Sequence, residues 1–147
     1  MFVRHDENGA SGGPAGRPRP DDPAGLTGAQ RELLWCLRRL AMLRPLGTAR
    51  DAHVHALLQQ RFGEQGLGLE HHLRCLIVGL ARRAQRPIRL HLPCHGALAP
   101  DEQRLLLALR EAGRPPRVAA VLAPIAGSRG GELAPLLAGI AALLPAP

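Results

Sequence analysis

Residues 86–113 read RPIRLHLPCHGALAPDEQRLLLALREAG and carry the clearest local signals in the chain. Apolar and polar side chains alternate over residues 88–92, which is the period-two pattern of an extended segment. A Pro-Cys-His-Gly turn comes next. Pro100 then stands at the first position of a helix, two acidic residues fill its first turn, and Gly113 suits its C-terminal end. The stretch therefore predicts an extended segment, a turn and a helix in direct succession.

Helical signals dominate the sequence on both sides of this stretch. Thr27 and Gln30 match a capping box, and Thr48 and Asp51 repeat the pattern. Leucine, isoleucine and valine recur at helical spacing after each of these starts. We expect helices over residues 27–44, 48–62, 69–84, 100–112, 115–127 and 132–144. The predicted fold class is thus mainly α, a compact bundle of about six helices with one short extended segment at residues 88–92.

Residues 118–122 leave one alternative open. Read as a strand parallel to residues 88–92, they would make a small α/β fold with a two-stranded parallel sheet. We favour a helix because Ala119, Ala120 and Ala123 are poor strand formers. The extended segment at 88–92 would then lie across helices, or pair with the same segment of a second copy.

Composition divides the chain into a tail and one domain. Residues 1–25 contain nine Gly or Pro and few large apolar side chains, which predicts a disordered N-terminal tail. Residues 26–147 are long enough for a single helical domain with its own core. No apolar run is long enough to span a membrane, the N-terminus lacks the apolar core of a secretory signal, and three cysteines indicate reduced thiols. We expect a cytoplasmic protein.

The charge of the chain is strongly positive. All 19 basic residues are arginine, and the formal net charge is +7, as in an arginine-rich protein of a GC-rich bacterial genome. Such a charge raises nucleic acid as a partner. The arginines, however, form no block of like charge and are not interleaved with aromatic residues that could stack on bases. The pattern favours a solvated basic surface over a nucleic-acid-binding module.

Reactive side chains crowd around the Pro-Cys-His turn. Cys94 precedes a helix N-terminus and has basic neighbours, both of which favour a reactive thiolate. The competing interpretation makes Cys94 a small buried apolar residue in phase with Leu90 and Leu92. His91, Cys94 and His95 could also bind Zn or Fe, since imidazole and thiolate are common ligands of these metals.

A more distant pair could complete such a metal site. His71 and Cys75 are four residues apart, so one helix face can present both. No CxxC, HExxH or haem-attachment pattern is present, and no cofactor is predicted. The two serines, Ser11 and Ser128, stand outside any nucleophile elbow, and no residue is assigned a catalytic role.

The last predicted helix is apolar around most of its circumference, so it is either central in the core or faces another chain. Leu136, Ile140, Leu143 and Leu144 are the residues that would form such an interaction surface. A protein partner or a homodimer is therefore expected.

Short motifs stand out along the chain: Arg86-Pro87-Ile88, Pro93-Cys94 and Pro100-Asp101-Glu102. In these motifs the sequence resembles a family of small uncharacterised α-proteobacterial proteins that share a domain of unknown function. The resemblance covers most of residues 27–144 and rests on short motifs; a Ser or Thr often stands in the family where this chain has Ala99. The other residues that carry the resemblance are Leu90, Leu98 and Leu105-Leu106, with the helix at 33–40 and the Phe62-Gly63 turn upstream. The resemblance implies a compact cytoplasmic domain and supplies no activity.

Together these patterns predict a small cytoplasmic interaction or regulatory module that has no catalytic activity and can self-associate. A thiol or metal-binding protein centred on Cys94 is one alternative, and a basic nucleic-acid-binding module is another.

Overall fold

A computed structural model describes residues 26–145 together with the strand Val3–Asp6. Within these residues the chain is mainly helical, which confirms the predicted fold class. The elements are β1 (Val3–Asp6), α1 (Gly28–Met42), α2 (Ala52–Phe62), α3 (Gln65–Arg83), β2 (Ile88–His91), α4 (Pro100–Arg110), α5 (Pro115–Ala126), a 3-10 helix (Gly127–Leu133) and α6 (Ala134–Leu143). No described helix combines the length and the apolar composition needed to cross a bilayer.

Side-chain caps set the first helix boundaries. At α1 the capping box is confirmed: the Gln30 amide donates to Thr27 Oγ1 at 3.1 Å and the Thr27 amide donates to Gln30 Oε1 at 3.0 Å. The predicted start of α2 at Thr48 is wrong. The Asp51 carboxylate accepts the first free amides of α2, whereas the Thr48 hydroxyl donates to the Pro45 carbonyl. The helix therefore begins one residue after Asp51.

Helix α3 begins four residues earlier than predicted because it starts against the backbone of α2. A Cβ atom on Gly66 would lie 2.5 Å from the Leu58 carbonyl oxygen, so only glycine permits this approach. Residues 118–122 lie inside α5, which confirms the helical interpretation. The segment that follows α5 is a 3-10 helix and not the predicted loop.

The core is built from aliphatic side chains of all six α-helices and β2, with α3 packed against α1, α2 and α6. Ile140 is fully buried in this core, so its assignment to an interaction surface is wrong. Leu136, Leu143 and Leu144 are half-buried and pack against the same cluster. The apolar side chains of α6 thus pack largely against the chain's own core.

The extended segment has a partner within the chain. β2 pairs in parallel with β1, in a register that joins Val3 to Ile88 and Asp6 to His91. The alternative fold paired residues 88–92 with residues 118–122. β2 instead forms its two-stranded parallel sheet with β1. Of the predicted tail, residues 3–6 form this strand, while residues 1–2 and 7–25 lie outside the described part of the chain.

Candidate functional site

Two buried carboxylates at the start of α4 bind the second edge of β2. Asp101 Oδ2 accepts the Arg89 amide at 2.9 Å, and Glu102 Oε2 accepts the His91 amide at 3.3 Å. Glu102 Oε1 also accepts the Ala99 amide at 2.9 Å. One edge of β2 thus pairs with β1, and the other edge is satisfied by side chains of α4.

The helix dipole explains two acids in a first turn, so their burial was not predicted. Asp101 and Glu102 stand four residues before Leu105 and Leu106, which are core residues of the same helix. Residues four apart share one helix face. That spacing was the available signal that both carboxylates face inward.

Arg38 of α1 completes the arrangement as a buried five-donor clamp. Its Nε and Nη2 donate to the two Glu102 carboxylate oxygens at 2.7 and 2.8 Å. Its Nη1 donates to the His95 carbonyl at 2.9 Å and to the Pro93 carbonyl at 3.4 Å. Its Nη2 donates also to the Ala97 carbonyl at 2.9 Å. A guanidinium has five N–H groups. Every one is used, so Arg38 positions residues 93–98 and offers no donor to a ligand.

A second ion pair joins Arg86, two residues before β2, to Asp101 of α4. Arg86 donates from Nη1 and Nη2 to the two oxygens of Asp101 at 2.8 and 2.7 Å, and Arg104 adds a bond of 3.0 Å. Burial raises the pKa of Asp101, but the hydrogen bonds from Arg86 and the Arg89 amide outweigh it and hold that pKa below its usual value. The same pairing raises the pKa of Arg86. Asp101 is therefore a structural carboxylate.

The predicted site residues of the turn are only partly brought together. The rings of His91 and His95 stack with their centroids 3.8 Å apart. Cys94 is exposed, so the interpretation that buried it with Leu90 is wrong. Its sulfur has no hydrogen-bond partner in the described part of the chain, and His95 Nδ1 instead accepts the Ala97 amide at 3.1 Å.

His71 and Cys75 meet on the outer face of α3, where Cys75 Sγ lies 3.6 Å from His71 Nε2. Among the described residues, no three His, Cys, Asp or Glu side chains are grouped so that they could hold a metal ion. The five residues proposed as ligands therefore do not form one group.

The third thiol is in a different environment. Cys36 is fully buried between helices. Burial, followed by the negative charges of Glu32, Asp51 and Glu70, raises the pKa of Cys36 to about 12. A thiol with such a pKa is protonated and unreactive at neutral pH.

Beside the clamp lies a groove between α1 and residues 93–98, here named the Trp35 groove, with a volume of about 230 Å³. Trp35, the single tryptophan of the chain, is half-buried there, and the Arg39 guanidinium lies 5.0 Å from its ring centroid on one face. Arg38 forms part of the groove wall. The remaining lining residues are Leu26, Arg31, Leu34, Pro93, His95, Gly96, Ala97 and Leu98.

The groove was not predicted, because its walls are separated by more than 50 residues of sequence. Its lining combines apolar side chains, one indole and an exposed arginine, and its described residues include no nucleophile hydrogen-bonded to a base.

No protein-family model, no curated protein and no solved structure matches this chain. The resemblance to the α-proteobacterial family stays a prediction. The function is accordingly inferred from the geometry of the chain's own residues.

Proposed function

We propose that this protein is a small cytoplasmic interaction module without catalytic activity, and that it binds a segment of a protein partner in the Trp35 groove. The observation that carries the proposal is the Arg38–Glu102 clamp. It ties three loop carbonyls and two amides to α1 and α4, so one wall of the groove is held in place before any partner arrives. Preorganisation of this kind lowers the entropic cost of binding.

The composition of the groove supports a protein ligand. Tryptophan and arginine are the residues most enriched at the energetic centres of protein interfaces. Leu34 and Leu98 form, with Leu106, a small apolar cluster of their own, against which Leu26 packs. This apolar floor next to Trp35 can accept an anchoring side chain.

The size of the groove argues in the same direction. Pockets for small-molecule ligands have volumes of about 300–1,000 Å³. At about 230 Å³ the Trp35 groove suits one or two side chains of a bound segment better than a cofactor.

Two glycines provide a matched test. Gly96 lies in the groove wall and Gly113 lies outside it; a Cβ at either position would meet no atom within 4 Å. A displayed library of random 12-residue peptides is selected against the wild type, and enriched peptides are measured by the fluorescence of Trp35. We expect Gly96→Phe to abolish binding and Gly113→Phe to leave it unchanged.

Two outcomes would reject the proposal. One is that the wild type enriches no peptide. The other is that peptides bind all three proteins equally. Circular dichroism of the three proteins controls for folding.

A further inference from the structure

Resting on the proposed function, we infer that the segment bound in the Trp35 groove is acidic: a carboxylate pairs with Arg31 while a neighbouring apolar side chain lies against Leu34, Leu98 and Trp35.

Among the described lining residues of the groove, one cation is available to a ligand. Its described lining contains two arginines and no acidic residue. The Arg38 charge is neutralised by Glu102, whose oxygens lie within 2.8 Å of it. Arg31 is exposed, and its guanidinium has no acceptor among the described residues.

Residues 26–145 have little means of neutralising Arg31 among themselves. Every acidic side chain of residues 26–145 except Glu64 is already paired with an arginine or a histidine. In a chain of net charge +7 this leaves arginines such as Arg31 as the surface charges that a partner meets. Complementary potentials across an interface favour a negatively charged partner.

The position of Arg31 also determines how far apart the apolar and the acidic side chain of the ligand are. Arg31 and Trp35 are four residues apart on α1, so their side chains are neighbours on one helix face. Leu34 and Leu98 line the same groove and belong to one apolar cluster. A ligand that fills the apolar floor therefore presents its adjacent residues to the Arg31 guanidinium.

A nucleic acid fits these observations less well. Phosphate recognition depends on several arginine or lysine contacts and on bases that stack on aromatic rings. The groove offers one available guanidinium, and Arg39 lies over one face of its single indole ring. An apolar floor beside one cation instead matches a peptide with one apolar and one acidic side chain.

The test uses the peptides that the wild type enriches. Each is compared with a matched neutral peptide in which Asp or Glu is replaced by Asn or Gln. Dissociation constants are measured by Trp35 fluorescence for the wild type, Arg31→Ala and Arg31→Glu. Arg82→Ala serves as the control, since Arg82 is an exposed arginine of α3 outside the groove.

We expect acidic peptides to dominate the selection, and neutralising either the peptide or Arg31 to weaken binding roughly tenfold, the size of one charge-assisted hydrogen bond. Arg82→Ala should have no effect. A lysine-substituted peptide should bind Arg31→Glu more tightly than it binds the wild type, which a purely structural role of Arg31 would not produce.

The two proposals fail in different ways. If neutral apolar peptides bind as tightly as acidic ones and still depend on Gly96, the inference about charge is overturned and the proposed function stands. If no peptide binds, but a single-stranded RNA oligonucleotide binds at 150 mM salt, both are overturned.

Discussion

At the scale of single residues, the order of the groove wall depends on Arg38. A buried ion pair is weak support for stability by itself, because desolvation of both charges offsets much of their attraction. Here the guanidinium also satisfies three backbone carbonyls, and Glu102 satisfies two backbone amides. The pair therefore replaces the regular secondary structure that residues 92–99 lack.

Removing one partner of this pair should be costly. We expect Arg38→Met to lower the free energy of unfolding by about 3–5 kcal/mol, because Glu102 is left buried without its counter-charge. The measurement is urea denaturation followed by circular dichroism.

The double variant Arg38→Met/Glu102→Leu distinguishes the two roles of the pair. A purely ionic role would let the double variant recover most of the loss. We expect little recovery, since the five backbone groups stay without partners. Full recovery would contradict it.

Asp101 makes stability depend on acid pH. Its pKa is lowered in the folded state from the ordinary 3.8, so its stabilising contribution is present above that value and is lost as the pH falls through the lower, folded pKa. We expect the free energy of unfolding to decrease as the pH is lowered from 4 to 2. Asp101→Asn should flatten this dependence, and Asp51 and Glu132, whose pKa values are also lowered, should account for a residual slope.

The three cysteines should differ in reactivity. Cys94 is exposed, Cys75 is half-buried beside His71, and Cys36 is buried with its pKa raised to about 12. We expect iodoacetamide at pH 8 to alkylate Cys94 first and Cys36 only after unfolding. Peptide mapping by mass spectrometry measures the order. Alkylation of Cys36 at the rate of Cys94 in the native protein would show that its burial is misassigned.

At the scale of elements, local signals predicted the helices because capping side chains and apolar periodicity act within a few residues. Thr27 and Gln30 satisfied that expectation directly. The start of α3 depends on a contact between Gly66 and the backbone of α2, which no local pattern contains. The partner of β2 was missed for the same reason, since β1 precedes it by more than 80 residues.

The contact at Gly66 gives a prediction for the α2–α3 pair. Gly66→Ala would place a Cβ 2.5 Å from the Leu58 carbonyl oxygen, and the two helices must move apart to admit it. We expect a loss of about 1–3 kcal/mol, the usual cost of overpacking. Gly113→Ala, where a Cβ meets open space, serves as the control in thermal denaturation. Equal stability of the two variants would refute the close approach.

At the scale of the whole molecule, the candidate site is made by the tertiary fold. The sequence drew attention to the Pro-Cys-His turn and assigned its chemistry to Cys94 and two histidines, which stays a prediction. In the structure, Arg38 binds the turn to α1 through its hydrogen bond to the His95 carbonyl. No sequence pattern distinguishes Arg38 from the rest of the 19 arginines. Residues 26–38 and 93–98 then form the Trp35 groove together.

Amide hydrogen exchange of residues 89–99, read residue by residue by NMR, reports directly on whether the clamp holds this segment. In the wild type, the amides of His91 and Ala99, both bonded to Glu102, should exchange nearly as slowly as the core amides of α3, since opening them requires breaking the buried pair. In Arg38→Met they should lose more protection than the core amides of α3, whose protection decreases only with the global free energy of unfolding. If the wild-type amides exchange at the rate of an exposed loop, the clamp does not order the groove wall, and the basis for the proposed function is lost.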